Sequence, residues 1–229
     1  LSPGGEFGLH LTIGALLMVL AVAVFGQLAA EVMGHEEITV LDLHIANWFN
    51  VHHFEPMTSF MLAISLAHMM VGVLLLMAVL GYIMWRRGQT YWLWALLISV
   101  PSGMLLNVFL KYVFQRSRPV FQEPLVTLMT YSFPSGHASA ATLFYGLLAS
   151  YVVITSRNWS VRLGTAAACT LMVLLVAFSR VYLGAHYLSD VLAGMAGSAA
   201  WLTVCITAIS TLRRRREAKS LSNNTRGTR

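Results

Sequence analysis

The stretch SRVYLGAHYLSD, residues 179–190, gathers Arg180, His186 and Asp190 in a chain where charged residues make up only 10% of the total. His186 and Asp190 are four apart, the spacing that puts two side chains on one face of a helix. A carboxylate so placed accepts a hydrogen bond from one imidazole nitrogen, fixes the tautomer and leaves the other nitrogen free as a nucleophile. Arg180 precedes His186 by six residues and on a continuous helix would point away from it. Residues 181–185 therefore read as a turn between two helices, with Gly184 easing the bend and Arg180 folded back towards the histidine.

Two more clusters carry chemistry. FPSGHAS, residues 133–139, has Pro134 where a chain enters a helix, and Ser135 and Gly136 where first-turn backbone N–H groups can meet an anion. His137 follows and can lend or accept a proton. Alone, this motif is equally a helix cap followed by a packed histidine. In KYVFQRSRP, residues 111–119, Lys111 and Arg118 are seven apart. They share nearly one face, about 10 Å apart if the helix persists, and can converge on a multiply charged anion. Alone, they read as snorkelling cations at a membrane boundary.

Together the clusters describe a phosphate site: three cations, two histidines, one carboxylate and two helix N-termini. Fixed positive charge can stabilise the equatorial oxygens of a phosphoryl group in transfer, a task that other phosphoryl-transfer enzymes give to metal ions. Of nine acidic residues only Asp190 belongs to the constellation, so no carboxylate cluster is expected to hold Mg²⁺. The expectation is a reaction without metal or cofactor.

Positioning these groups falls to membrane helices. Hydrophobic residues make up 57% of the 229 and mean hydropathy is +0.69, a balance foreign to water-soluble domains. Apolar runs long enough to span a bilayer occur at about 11–33, 57–85, 91–114, 137–155, 163–181 and 186–211. The expected fold is all-α, a polytopic bundle of six transmembrane helices. The second run is longer than a span needs, which predicts tilt or emergence at one end. Short basic loops follow the second, fourth and sixth runs, and 11 of 15 Lys and Arg fall on that side. By the positive-inside rule both termini are expected to be cytoplasmic. The other four, Lys111, Arg116, Arg118 and Arg180, sit at the opposite face, where a charge at a membrane boundary signals function. A multi-pass protein of the inner (cytoplasmic) membrane is expected, its site facing the periplasm or extracytoplasmic side.

One domain is expected: residues 1–8 as an added or disordered start, 9–212 as the six-span domain and 213–229 as a basic cytoplasmic tail. RRRREAK in that tail reads as a topology anchor facing anionic headgroups, and no nucleic-acid partner is expected. Cys169 and Cys205 fall inside spans without metal-ligand spacing and read as packing residues. Arg116 reads as a solvated loop charge beside the site, and His52 and His53 as an exposed pair. His68, inside the second span, needs a hydrogen bond within the bundle. ITVLDLHIANWF, residues 38–49, reads as an interfacial helix able to help admit a lipid, or as a plain connector.

The three clusters resemble the signature of the type 2 phosphatidic acid phosphatase superfamily of integral membrane lipid phosphatases. That signature is Lys-x6-Arg-Pro, Pro-Ser-Gly-His and Ser-Arg-x5-His-x3-Asp, found at 111–119, 134–137 and 179–190 with every defining position kept. Over the first two spans the resemblance is only architectural. It implies that Lys111, Arg118 and Arg180 bind phosphate, with Ser135 and Gly136 adding hydrogen bonds. It makes His186 the nucleophile that forms a phosphohistidine, Asp190 its orienting partner and His137 the acid for the leaving lipid oxygen. The residues alone do not choose the attacking histidine, although the aspartate four residues on favours His186. The implied substrate is a membrane lipid phosphate or pyrophosphate, such as undecaprenyl pyrophosphate, phosphatidylglycerol phosphate or phosphatidic acid. The alternatives are transfer of the same phosphoryl group to another lipid, and a lipid or anion transporter with a basic headgroup site.

Overall fold

The structure, a computed structural model, describes the backbone of residues 6–227 and the side chains of Thr12 and residues 14–212. Residues 1–5 of the expected start and the side chains of the expected basic tail lie outside the described residues. Eight helices and no strand occur among the described residues: α1 (Glu6–Gly34), α2 (Glu37–His52), α3 (Met57–Ala67), α4 (Met70–Arg86), α5 (Thr90–Phe114), α6 (Gly136–Thr155), α7 (Trp159–Tyr182) and α8 (Leu188–Gly227). In lipid every backbone polar group must be satisfied within the segment, which leaves helices as the economical way for such apolar runs to cross.

Among the described residues five helices are long and apolar enough to span: the Gly14–Gly34 part of α1, α5, α6, α7 and the Leu188–Leu212 part of α8. The expected second span is not one tilted helix. It is the pair α3 and α4, bent by 58° at His68 and Met69, so the count of spans is five, or six with the broken pair. Two residues account for the break. A Cβ at Gly72 would lie 1.9 Å from the Ala67 carbonyl oxygen, so the chain can double back there only without a side chain. His68 takes over a carbonyl at the end of α3 through its Nδ1, 2.8 Å from the Ile64 oxygen. Its Nε2 meets the Tyr145 hydroxyl at 2.8 Å, the bundle hydrogen bond its burial requires.

The centre of the bundle lies between α4, α5, α6 and α8, where Leu96, Val100, Leu143, Leu147 and Leu202 are buried. Helix α1 lies along α8, α7 along α6, and α3 along α7. At one end the turns after α4 and α6 approach each other, with Arg87, Gln89, Thr155 and Ser156 around one polar cleft. The three motifs gather at the other end. Cys169 and Cys205 are buried free thiols, and His52 and His53 are exposed and bonded to their own chain's carbonyls.

The segment before α3 is helical. In α2 the buried residues are Asp42 and Ala46, while Val40, Leu41, Leu43 and Trp48 remain exposed. Phe49 packs its ring 5.5 Å from Phe178 and 5.6 Å from Tyr182, which ties α2 to α7.

Candidate active site

His186 lies in the turn between α7 and α8 rather than on the first turn of α8, since α8 begins at Leu188. The expected shared helix face is therefore absent, and the turn does the same work. Gly184 adopts φ +64°, and the N–H groups of Ala185 and His186 both donate to the Arg180 carbonyl, at 3.0 and 3.2 Å. Asp190 Oδ2 accepts from the Tyr187 N–H at 2.9 Å, the reach of an acidic third-position side chain back to the residue that caps its helix. The same oxygen faces His186 Nδ1 at 3.4 Å. Ser132 Oγ donates to it as well and stands 3.3 Å from Nδ1.

On the other side of the imidazole, Arg118 Nη1 is 3.1 Å from Nε2. A guanidinium only donates, so Nε2 is the acceptor and the proton sits on Nδ1, towards Asp190. Burial pushes the His186 pKa down from 6.5 to about 3; Asp190 opposes the shift, and Arg118 and Lys111 add to it. His186 is therefore a neutral imidazole at pH 7 whose Nε2 lone pair accepts from Arg118.

Lys111 and Arg118 converge, though not along one helix. Helix α5 ends at Phe114 and Gln115 turns left-handed with φ 47°, so Arg118 reaches in from the following loop. Lys111 Nζ donates to the Tyr131 and Ser132 carbonyls at 2.7 and 3.2 Å. Arg118 donates to the carbonyls of Thr130, Tyr131 and Ala185 at 2.6, 3.1 and 2.5 Å. Burial lowers the Arg118 pKa, with Asp190 opposing, and the guanidinium stays charged. Arg180 is 2% exposed and donates to Ser65 Oγ, so the broken α3–α4 pair supplies a partner that no motif contains.

The Pro-Ser-Gly-His loop opens α6 with Ser135 at its cap. One expectation changes here: the Ser135 N–H is engaged, donating to the Asp190 carbonyl at 2.9 Å, and is not offered to an anion. What is unpartnered is the buried Ser135 hydroxyl, together with His137 Nε2 and Arg180 Nε. Buried polar atoms without partners are rare, and three in one constellation suit a polar ligand.

Sequence reasoning misjudged Arg116 and missed Asp42 and Ser132. Arg116 is not a solvated charge: its side chain is 12% exposed and forms ion pairs with Asp42 at 2.8 Å and Asp190 at 2.6 Å. Burial opposes its charge, but Asp190 and Asp42 together outweigh that and hold its pKa above the usual value. Asp190 is thus not the only acidic residue of the constellation. Asp42, 1% exposed, accepts from the Ser189 N–H at 3.0 Å and from the Ser189 hydroxyl. No local pattern marked it, because its partners lie 74 and 147 residues away. Ser132 does adjoin a motif, and that adjacency was the available signal. Among the described residues no group of three His, Cys, Asp or Glu is placed to hold a metal ion.

A groove of about 1110 Å³ runs from these cations between α4 and α5. Lys111, Arg118, Gly136 and His137 line its polar end, and Met70, Val73, Met77, Met104 and Leu105 its apolar length. Two cations and a histidine therefore stand at the head of an apolar channel.

The PAP2 superfamily profile matches residues 90–214, which include all three motifs. Phosphatidylglycerophosphatase B of Bacillus subtilis is 37% identical over 103 residues, 43% of this chain and 49% of that protein. An undecaprenyl-diphosphatase of Sulfolobus acidocaldarius is 38% identical over 104 residues, 43% of this chain and 46% of that protein. The chain thus matches about half the length of these two relatives. The crystal structure of a transmembrane PAP2-type phosphatidylglycerolphosphate phosphatase from Bacillus subtilis superposes with a TM-score of 0.78 at 26% identity, covering 85% of this chain and 96% of that one.

Proposed function

The chain belongs to the PAP2 superfamily, and from that premise we propose that it hydrolyses a membrane lipid phosphate or pyrophosphate, without a metal ion, through a phosphohistidine on His186. The observation that carries this reading is the two-sided clamp on His186. Its Nδ1 faces Asp190 while its Nε2 meets Arg118 at the head of the apolar groove. A transporter needs the cations but has no use for an imidazole held in one tautomer. The relatives named above as phosphatases give further support.

In this mechanism the lipid tail occupies the groove, and the phosphate oxygens draw Arg118, Lys111 and Arg180 towards them. The Ser135 hydroxyl and the Gly136 N–H complete the cradle. As the Arg118 guanidinium moves onto phosphate, the Nε2 lone pair is freed and attacks phosphorus in line with the bond to the leaving oxygen. His137 gives its proton to that oxygen, which departs as a lipid alcohol, or as a lipid phosphate when the substrate is a pyrophosphate. Nδ1 keeps its proton, and Asp190 stabilises the positive charge that develops on the ring. Water then attacks the phosphohistidine and passes a proton to His137. Inorganic phosphate leaves with His137 recharged and His186 neutral. The basic-loop bias supports a topology with this site at the outer membrane–water interface and both termini cytoplasmic.

The test is inorganic phosphate release from a panel of lipid phosphates and pyrophosphates by the detergent-purified protein in excess EDTA, beside His186→Ala. Release by the parent protein that the variant loses, insensitive to EDTA, is the expected result. Folded protein that releases phosphate only when a second lipid is supplied would point instead to transfer between lipids, and none under either condition would overturn the enzymatic reading.

A further inference from the structure

The two oxygens of Asp190 are served unequally. Oδ2 faces His186 and accepts from Ser132 and the Tyr187 N–H. Oδ1 has one donor among the described contacts, Arg116 Nη1. Without it a buried anionic oxygen would stand bare, and the carboxylate would gain by turning about its Cβ–Cγ bond to share the donors on Oδ2. Such a turn would remove Oδ2 from His186 Nδ1, so the orientation of the histidine's partner depends on Arg116.

Arg116 is itself held from three sides. Its Nη2 donates to Asp42 at 2.8 Å, its Nη1 also donates to Ser189 Oγ at 2.7 Å, and its guanidinium lies over the Tyr187 ring, 4.3 Å from the centroid. A planar guanidinium bridges two carboxylates at fixed angles, which a lysine ammonium cannot do. Asp42 binds both this fork and the Ser189 N–H at the start of α8. One continuous chain of short contacts therefore runs from α2 through Arg116 to Asp190 and His186. Asp42 lies outside the three motif stretches, and Arg116 holds an unspecified position between Lys111 and Arg118.

We propose that Arg116 and Asp42 are positioning residues: Arg116 fixes the Asp190 carboxylate so that the His186 Nδ1–H keeps its partner, and Asp42 fixes Arg116, which makes α2 a working part of the site. The catalytic consequence rests on the reading of His186 as the nucleophile. The contact between the His186 Nδ1–H and Asp190 is a property of the resting protein and does not.

Three variants and three readouts test this: Arg116→Gln, Asp42→Asn and the double substitution, read by steady-state kinetics with a lipid phosphate, by melting temperature and by proton and nitrogen NMR of histidine-labelled protein. The His186 signal is assigned by its loss in His186→Asn. Arg116→Gln is expected to lower kcat by about 10- to 100-fold, the weight of one charge-assisted hydrogen bond, with KM little changed. It also strands Asp42, so its melting temperature should fall. The double variant removes both charges of the Arg116–Asp42 pair and should regain much of that melting temperature while kcat stays low. In the parent protein the His186 Nδ1–H proton should lie far downfield, as in a hydrogen bond to a carboxylate, and it should move upfield in Arg116→Gln and in the double variant, with Nε2 still the acceptor from Arg118. The ionisable groups facing the ring, Asp190, Arg118 and Lys111, are unaltered in these variants. Recovery of kcat together with melting temperature in the double variant, or an unchanged Nδ1–H resonance in Arg116→Gln, would overturn the proposal. If the parent protein hydrolysed no lipid phosphate, the functional reading would fall while the Nδ1–H resonance still decided the positioning role.

Discussion

Helix α8 meets the Pro-Ser-Gly-His loop at Gly194, one turn beyond Asp190, and Gly194→Ala tests whether that close approach sets the geometry of the site. An added methyl carbon would lie 2.7 Å from the Ser135 carbonyl oxygen and 3.1 Å from Ser139 Oγ. Carbon and oxygen approach to about 3.3 Å in tolerated contacts, so α8 must recede by about 0.6 Å. Overpacking of that kind costs about 1–3 kcal/mol of stability. The same recession stretches the 2.9 Å bond from the Ser135 N–H to the Asp190 carbonyl, the link that sets Asp190 and His186 relative to His137. Misplacement by about 1 Å in a reacting constellation costs about 100-fold in rate, so a 10- to 100-fold loss in kcat is expected. KM should move less, because Lys111 and Arg118 stand on α5 and the loop after it. Phosphate release and melting temperature in detergent would be measured beside Gly164→Ala, an exposed α7 position where a methyl meets nothing within 4 Å. That control should keep its activity and gain up to about 1 kcal/mol in helix propensity. A Gly194→Ala protein with parental kcat and melting temperature would refute the reasoning.

Other perturbations separate the roles of individual groups. Lys111→Met removes one cation from the polar end of the groove and should raise KM for a lipid phosphate by about 10- to 100-fold, read from initial rates. Tyr145→Phe leaves His68 Nε2 buried without its partner and should cost about 1–3 kcal/mol in denaturation while changing kcat little. The pH dependence has a defined sign. His186 is held at about 3 when folded against 6.5 in the unfolded chain, so between those values the unfolded state binds more protons. The stability this residue contributes is therefore complete above about pH 6.5 and is lost as the pH falls towards 3. Melting temperatures recorded over that window should decline less steeply in His186→Asn than in the parent protein.

Much of the site was legible because its chemistry is written in short spacings. Lys111 to Arg118, Ser135 to His137 and Arg180 to Asp190 each lie within one stretch, and charge is so scarce in this chain that their concentration at one face stands out. The spacing was right in places where the assumed local structure was not. His186 and Asp190 meet through a turn held by Gly184 and the Arg180 carbonyl, and Lys111 and Arg118 meet across the end of α5. Asp42 was illegible for a physical reason: it contributes through tertiary contacts with Arg116 and Ser189 on distant elements, and a lone aspartate in a partly amphipathic helix looks like surface. Arg116 was discounted because a loop arginine is usually solvated, and only the burial of both its carboxylate partners changes that. The break between α3 and α4 was hidden inside one uninterrupted apolar run. Hydropathy reports whether a segment can enter lipid; it is blind to a carbonyl that leaves no room for a Cβ at Gly72.

The most direct measurement of the central claim, that His186 carries the phosphoryl group, is rapid quenching of the protein with a lipid phosphate radiolabelled in its phosphate. The account predicts a transient phosphoprotein that forms before phosphate is released, is labile to acid and stable to alkali as a phosphohistidine is, and maps to His186. Phosphate release with no labelled protein on that timescale, or label on another residue, would contradict it.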